Sequence, residues 1–137
     1  MMEKKMKTLF RNVDCIQFYV SNLEEGISYY CKSLGLRLIW KSETSAGLSM
    51  DEDITEVVVQ NERRGLEIDF KVDSVEEAIN TIKEAGGQVV IGPFDIEIGK
   101  CAVIKDPWEN QYVILDMSKG SFITDEKGNI IGHNKSE

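Results

Sequence analysis

One sequence pattern of twelve residues occurs twice in the chain. Residues 16–27 read IQFYVSNLEEGI, and residues 68–79, which lie 52 positions later, read IDFKVDSVEEAI. The same offset pairs Gly35 with Gly87, beyond the end of the repeated phrase. Because a strand-like stretch, a helix start and a trailing glycine all keep one offset, we interpret the chain as two copies of one structural unit.

Each copy begins with the two-residue alternation of a half-buried strand and then changes to helical spacing. Asn22 and Glu25 have the spacing of a capping box at the start of the first helix, and Ser74 and Glu77 repeat it. Three strand-like runs follow each helix, at about residues 36–41, 46–50 and 55–60, and then at about 88–98, 101–105 and 111–115. Each copy is therefore predicted to be a βαβββ module.

The two modules span about residues 12–62 and 64–117 of a single domain that covers residues 1–137, with a polar tail at 118–137. Within the tail, residues 124–132 could form a small hairpin around Gly128-Asn129. A short sheet with one helix on one face leaves its other face uncovered, so two such sheets are expected to combine. The predicted fold class is α+β, with tandem modules forming a curved mixed sheet around a cleft.

Composition excludes several kinds of partner. The net charge is −8 and the basic residues are scattered, which disfavours nucleic acid, because binding to phosphates needs clustered Lys and Arg. No apolar run is long enough to cross a bilayer, and no apolar segment of a signal peptide follows the lysines near the N-terminus. Three cysteines without a CxxC motif suggest neither a disulfide framework nor a zinc site. We therefore expect a cytoplasmic protein without membrane or nucleic-acid partners.

Two stretches resemble a known family. FYVSNLEEGISYYCKSLGLRL is similar to the first strand, helix and LG turn of the vicinal oxygen chelate superfamily, and DPWENQYVILD is similar to its closing DPxGN hairpin. This superfamily contains glyoxalase I, the extradiol dioxygenases and the bleomycin- and fosfomycin-resistance proteins. The resemblance covers about residues 12–117 and implies the glyoxalase/bleomycin-resistance/dioxygenase fold and a homodimer. Glu109 stands where the family has glycine in the turn, and a left-handed backbone there would cost about 1 kcal/mol.

The resemblance also gives four positions at which the metal-binding members place His, Gln or Glu. In this chain they correspond to Cys15, Glu67, Val113 and one residue within Val57–Val59, where the register is uncertain. Valine cannot bind a metal, and the single histidine, His133, lies in the tail, where we expect it to be exposed to solvent. The chain is therefore expected to use no divalent metal or other cofactor.

The polar face of the first strand of each module supplies candidates for ligand binding. They are Cys15, Gln17 and Tyr19 in the first module and Glu67, Asp69 and Lys71 in the second, with Val113 at the last family position. Trp40 and Trp108 could stack on a flat ligand or could simply be packing residues. Glu67 is the one weak candidate for catalysis, because no histidine of the core could activate the Cys15 thiol. A solvated strand face or a dimer edge would explain the same pattern.

Two classes of function remain open at this stage. The first is a metal-free protein of the drug-resistance type, which binds a small polar molecule between the modules or at a dimer interface. The second is a superfamily enzyme, similar to lactoylglutathione lyase or a dioxygenase, with a non-standard or metal-dependent site. A cleft filled by the chain's own side chains would be a structural remnant without either function.

Overall fold

The computed structural model describes residues 7–52 and 54–135. These residues contain two α-helices, one π-helical turn and ten strands. The helices are α1 (Leu23–Ser28), which continues into a π-helical turn (Tyr29–Ser33), and α2 (Val75–Glu84). The strands of the first module are β1 (Asn12–Tyr19), β2 (Arg37–Lys41), β3 (Ser45–Ser49) and β4 (Glu56–Gln60). Those of the second are β5 (Glu67–Lys71), β6 (Gln88–Ile96), β7 (Gly99–Lys105) and β8 (Gln111–Leu115), and β9 (Gly120–Thr124) and β10 (Ile130–Lys135) follow.

Eight strands form one mixed sheet in the order β2-β3-β4-β1-β5-β8-β7-β6, which confirms the predicted fold of two βαβββ modules. Each module closes with a parallel pair, β1 with β4 and β5 with β8. The modules join where β1 and β5 run antiparallel, and there Ile16 lies directly opposite Ile68, its own counterpart in the repeat. A local twofold axis therefore passes between these two residues.

The repeated helix starts have the N-cap half of the predicted capping boxes. The Asn22 side chain accepts a hydrogen bond from the backbone N–H of Glu25 at 3.0 Å, and Ser74 does the same for Glu77 at 3.3 Å. The first helix ends before Gly35, whose φ is +84°, a backbone conformation that favours glycine. Neither helix of the described residues is long and apolar enough to span a membrane.

Both helices pack on the same face of the sheet, and each covers its own apolar cluster. Leu23 of α1 packs with Leu48, Val57 and Val59 in the first module. In the second module the cluster contains four residues of the α2 segment and the strand residues behind them, namely Val72, Val75, Ala78, Ile79, Ile82, Ala102, Ile104 and Ile114. These apolar faces hold the helices in place, so the opposite face of the sheet remains available to form a cleft.

The polar tail is folded within the described residues. The strands β9 and β10 form the predicted hairpin, although its strands extend further in both directions than residues 124–132. The hairpin docks on the edge strand β2, where the Lys41 N–H donates to the Gly128 carbonyl at 2.6 Å. The Phe122 ring lies against Trp40 with 5.9 Å between the ring centroids. His133 belongs to β10, but its side chain lies outside the part that the structure describes.

The turn at Glu109 has the left-handed backbone expected from the missing glycine, with a φ of +71°. The Asp106 carboxylate stabilises this turn by accepting hydrogen bonds from the backbone N–H groups of Trp108 and Asn110. The hairpin turn Asp125–Asn129 repeats the same pattern of bonds, with Gly128 at the left-handed position. The register that follows Glu109 is as predicted, because β8 begins at Gln111.

Candidate functional site

A cavity of about 360 Å³ lies on the sheet face opposite the helices and is shared by both modules. The first module contributes Asp14, Cys15, Gln17, Ile39, Trp40, Glu56 and Val58. The second module and the segment after it contribute Asp69, Ile96, Glu97, Ile98 and Met117, and the hairpin contributes Ser121, Phe122 and Thr124. Four residues predicted from the sequence, Cys15, Gln17, Trp40 and Asp69, thus meet in one cavity.

Asp69 is the centre of a buried hydrogen-bond network. Its Oδ2 accepts a bond from Gln17 Nε2 at 3.0 Å and a longer one from the Cys15 thiol at 3.4 Å. All three side chains are at most 9% exposed. The other carboxylate oxygen, Oδ1, has no hydrogen-bond partner among the described residues. A buried acceptor without a donor is costly, and a proton shared with the neighbouring Glu67 carboxyl group removes that cost.

The surroundings of Asp69 favour its protonated form. Burial, and then the neighbouring carboxyl group of Glu67, raise the pKa of Asp69 to about 8, although the bonds from Cys15 and Gln17 act in the opposite direction. Burial and the nearby Asp69 charge also raise the pKa of the Cys15 thiol far above its usual value. Cys15 therefore remains a thiol that donates a hydrogen bond, which argues against a role as nucleophile.

Arg63 holds the two modules together beside this network. Its Nη2 donates to Gln17 Oε1 at 2.9 Å, and its Nε donates to Glu67 Oε1 at 3.3 Å. Gln60, which is 2% exposed, fixes the arginine backbone by accepting from its N–H and donating to its carbonyl. The Arg63 guanidinium thus balances Glu67 and orients the Gln17 amide toward Asp69.

The cavity also contains three carboxyl groups that were absent from the predicted site, those of Asp14, Glu56 and Glu97. Asp14 follows Val13 at a β-bulge in β1, where the pairing with β5 shifts by one residue. Glu56 accepts a hydrogen bond from Trp40 Nε1 at 2.7 Å. Burial raises the pKa of Asp14 and of Glu56. The positive charge of Lys71 acts in the opposite direction on the pKa of Asp14. Strict alternation would place Asp14 on the helix side of β1, so no sequence signal pointed to it.

Trp40 lies flat over the neighbouring strand and forms one wall of the cavity. A Cβ atom on Gly47 would collide with the Trp40 indole, so this position requires glycine. A second cavity of about 600 Å³ adjoins the first and shares Asp14, Ile39 and Glu56 with it. Arg37 lines this second cavity, where it donates to Ser49 Oγ and to the Met50 carbonyl.

The other predicted site residues lie outside the first cavity. Glu67 and Val113 line a separate depression of about 270 Å³. Tyr19 lies under the Arg64 guanidinium, 4.7 Å from its carbon to the ring centroid. Lys71 acts on Asp14 through its charge without lining the cavity. Trp108 is 80% exposed in the turn between β7 and β8, away from the cavity.

The four metal positions implied by the family resemblance do not fit a metal ion. Val58 pairs with Gln17, and Val113 pairs with Asp69, the counterpart of Gln17 in the repeat, so the structure places the uncertain fourth position at Val58. The donor set is then one buried thiol, one carboxylate and two valines. Within the described residues, no cluster of three or more His, Cys, Asp or Glu side chains could hold a metal ion.

Comparisons with known proteins agree with this fold. The family model described as Glyoxalase/Bleomycin resistance protein/Dioxygenase superfamily matches residues 12–114. No curated protein matches the chain by sequence.

Three similar solved structures carry different names. Methylmalonyl-CoA epimerase from Mycobacterium tuberculosis has 13% identity and a TM-score of 0.69, covering 82% of this chain and 92% of that one. A structure described as NAD-dependent benzaldehyde dehydrogenase from Legionella pneumophila has 22% identity and a TM-score of 0.63, with 75% and 97% covered. Homoprotocatechuate 2,3-dioxygenase from Brevibacterium fuscum has 20% identity and a TM-score of 0.62, with 79% and 37% covered. At such identities these similarities define the fold, and the reaction must be argued from the site.

Proposed function

The chain belongs to the glyoxalase/bleomycin resistance protein/dioxygenase superfamily, and we propose that it is a metal-free member that binds a small organic molecule in the cavity between its modules. The observation that carries this proposal is the cavity of about 360 Å³, in which both modules and the hairpin meet around the Asp69 network. Ligand sites in proteins commonly combine an apolar lining with a few polar groups that fix orientation. This cavity has both.

The absence of a metal follows, in this proposal, from the donor set. Val58 and Val113 stand at two of the four family positions, and Arg63 donates a hydrogen bond to Glu67, the one carboxylate of the set, and another to Gln17. Ligand binding is therefore expected to be independent of divalent ions, and elemental analysis of protein purified without chelator should show no stoichiometric metal. A bound metal that is needed for ligand binding would contradict the proposal.

The binding function is tested by thermal shift with a panel of small molecules of all charge classes, with and without EDTA. A ligand at about one hundred times its dissociation constant stabilises the folded state by about 2.7 kcal/mol. The pair Trp40→Ala and Trp108→Ala is a matched control, because only Trp40 lines the cavity. We expect the first variant, and also Phe122→Leu, to weaken binding, and the second to bind normally. A panel without any hit, or equal effects of both tryptophan variants, would contradict the proposal.

An acid–base enzyme of the superfamily is the second candidate function. It is favoured by one observation, a carboxyl group with a pKa of about 8 that lines a cavity. In this case Asp69 takes the role that the sequence suggested for Glu67, which lines a different depression. NMR of each bound molecule in D₂O would detect exchange of a carbon-bound hydrogen. Exchange that is lost in Asp69→Asn supports an enzyme, and binding without exchange supports the binding protein.

We also propose that the protein forms a homodimer. The edge strand β6 exposes apolar side chains, with Val90 44%, Ile91 56% and Phe94 40% exposed. An exposed apolar edge strand is a common site of association. Sedimentation equilibrium should give twice the chain mass, and Ile91→Lys should give the mass of one chain. A monomer in the unchanged protein would contradict this proposal.

A cytoplasmic location also remains a proposal. It is supported by the three cysteines, which are all free and so suit a reducing compartment. Cell fractionation with an antibody against the chain tests it, and recovery outside the cytoplasmic fraction would contradict it.

A further inference from the structure

The cavity is lined by four carboxyl groups. They are Asp14, Glu56, Asp69 and Glu97, and no Lys or Arg among the described residues lines the same cavity. Cations beside the lining are engaged with other groups. Arg63 binds Gln17 and Glu67, Arg37 binds Ser49 and Met50 in the adjoining cavity, and Lys119 binds Asp95 and the Ile96 carbonyl. Lys71 attracts Asp14 from strand β5 without reaching the lining. Carboxylates gathered around a cavity with apolar walls create a negative potential that attracts a positive ligand.

Asp69 indicates where in the cavity the charged group of a ligand would bind. The side chain is 5% exposed and lines the cavity, and its Oδ1 has no donor among the described residues. In the free protein Asp69 is protonated at pH 7 and shares this proton with the adjacent Glu67 carboxyl group, so a cationic ligand must displace the proton on binding. A cationic N–H directed at the Asp69 carboxylate from the cavity would then form a charge-assisted hydrogen bond, which is the stronger type.

The remaining walls fit a flat apolar body. The rings of Trp40 and Phe122 meet at 46°, and Ile39, Ile98 and Met117 complete the apolar lining. The faces of aromatic rings attract organic cations, and they also pack against apolar groups. The described residues form no cluster able to hold a metal ion, which leaves an organic cation as the fitting occupant.

We propose that the ligand is an organic cation, in which a flat apolar body lies against Trp40 and Phe122 and a protonated amine or amidine group points to Asp69, Asp14 and Glu56. This inference rests on the proposed binding function and adds the chemical class of the ligand to it. The adjoining cavity of about 600 Å³ leaves room for a body that extends past Ile39 toward Ser49.

The test compares three probes of nearly equal shape by isothermal titration at pH 7, namely 1-naphthylmethylamine, 1-naphthylmethanol and 1-naphthoate. We expect the amine to bind at least about tenfold more tightly than the alcohol, and the carboxylate most weakly. Raising the salt concentration should weaken the amine and leave the alcohol nearly unchanged.

Charge-neutral variants show whether the named carboxylates cause this preference. Asp69→Asn and Asp14→Asn should each reduce the ratio of amine to alcohol affinity by about tenfold while the alcohol still binds. Glu56→Gln keeps an acceptor for Trp40 and serves as the third variant if either of these unfolds. Glu84→Gln changes the same charge on the exposed end of α2 and should leave the ratio unchanged.

The outcomes separate this inference from the proposed function. Tighter binding of the alcohol or the carboxylate, or an equal loss of preference in Glu84→Gln, would overturn the cation while the binding function stands. Failure of all three probes together with the whole panel would overturn the binding function and the cation with it. Hits in the panel that are not enriched in cations would overturn the cation alone.

Discussion

Gln17 and Asp69 hold the same position in the two copies of the repeat, and their side chains are hydrogen-bonded to each other, Nε2 to Oδ2, at 3.0 Å. This is possible because β1 and β5 run antiparallel about an axis between Ile16 and Ile68, which places Gln17 and Asp69 diagonally across the two strands, with Gln17 directly opposite Glu67 and Asp69 directly opposite Cys15. The two copies therefore differ at a position where their side chains, Gln17 and Asp69, contact each other. An amide donor in one module is matched to a carboxylate acceptor in the other.

Asp69→Asn is predicted to change how stability depends on pH. The folded protein keeps the Asp69 proton up to about pH 8, whereas the unfolded chain releases it near pH 3.8, the ordinary pKa of an aspartate side chain. The folded state thus binds more protons between these values, and its free energy of unfolding falls as the pH rises through this window. Asparagine does not titrate, so its free energy of unfolding has no such fall. Between pH 5 and pH 9 the free energy of unfolding of the variant should therefore increase by about 1–3 kcal/mol relative to that of the unchanged protein.

Urea unfolding at pH 5, 7 and 9 measures this difference, in which the other titrating groups largely cancel. The groups that face Asp69 are the Cys15 thiol, the Glu67 carboxylate with its Arg63 partner, and Asp14, which lines the same cavity. Glu84→Gln on the exposed end of α2 is the control and should track the unchanged protein. A difference that does not vary with pH would show that Asp69 is ionised throughout the range.

Asp116→Asn is predicted to destabilise the start of α2. The Asp116 carboxylate is 3% exposed, and it accepts from the backbone N–H groups of Val75 and Lys100 and from Ser118. An asparagine would turn an N–H₂ group toward some of these donors, so we expect a loss of about 2–3 kcal/mol at pH 7 in urea unfolding. An unchanged stability would show that the carboxylate does not anchor the helix.

The contribution of Asp116 to stability is also predicted to disappear at acid pH. Burial alone would raise the pKa of Asp116, but the bonds from Val75, Ser118 and Lys100 outweigh it and lower the pKa. The contribution is therefore fully present above the unfolded value and is lost as the pH falls through the folded one. The gap between Asp116→Asn and the unchanged protein should close below about pH 4. A gap of constant size in acid would contradict the lowered pKa.

Glu109→Gly is predicted to stabilise the protein by about 0.5–1 kcal/mol, because φ is +71° there and glycine adopts this conformation without strain. The twin turn in the hairpin provides the reverse experiment. Gly128 has a φ of +85° in the same hydrogen-bond pattern, so Gly128→Ala should be destabilising. Thermal unfolding measures both, and a loss of stability in Glu109→Gly would mean that the glutamate side chain contributes more than its backbone costs.

Gly47→Ala is predicted to destabilise by about 1–3 kcal/mol, because the new methyl group would collide with the Trp40 indole. In a Trp40→Ala background the same change should have almost no effect, since the collision partner is gone. The comparison is a double-mutant cycle in urea unfolding. Equal effects in both backgrounds would show that the glycine is needed for another reason.

The repeat predicted most of the fold, because it records strand alternation, helix capping and the turn glycines twice. Cys15, Gln17 and Asp69 could also be placed near the cleft, since alternation assigns strand residues to faces. Asp14 could not, because one bulge moves it to the other face, and a bulge leaves no mark in the hydrophobic pattern. The hydrogen bonds from Arg63 and the contact of the Phe122 ring with Trp40 depend on how a linker and a polar hairpin return to the sheet, which composition does not encode.

The hairpin that carries Phe122 comes after both modules in the chain, and chains are synthesised from the N-terminus. All eight strands of the sheet precede it, so the sheet can form while the hairpin is still being made. A growing chain would therefore pass through a stage in which Trp40 and the carboxylates around it are uncovered. The ability to retain a ligand would arrive as a late step of biosynthesis, separate in time from the folding of the sheet.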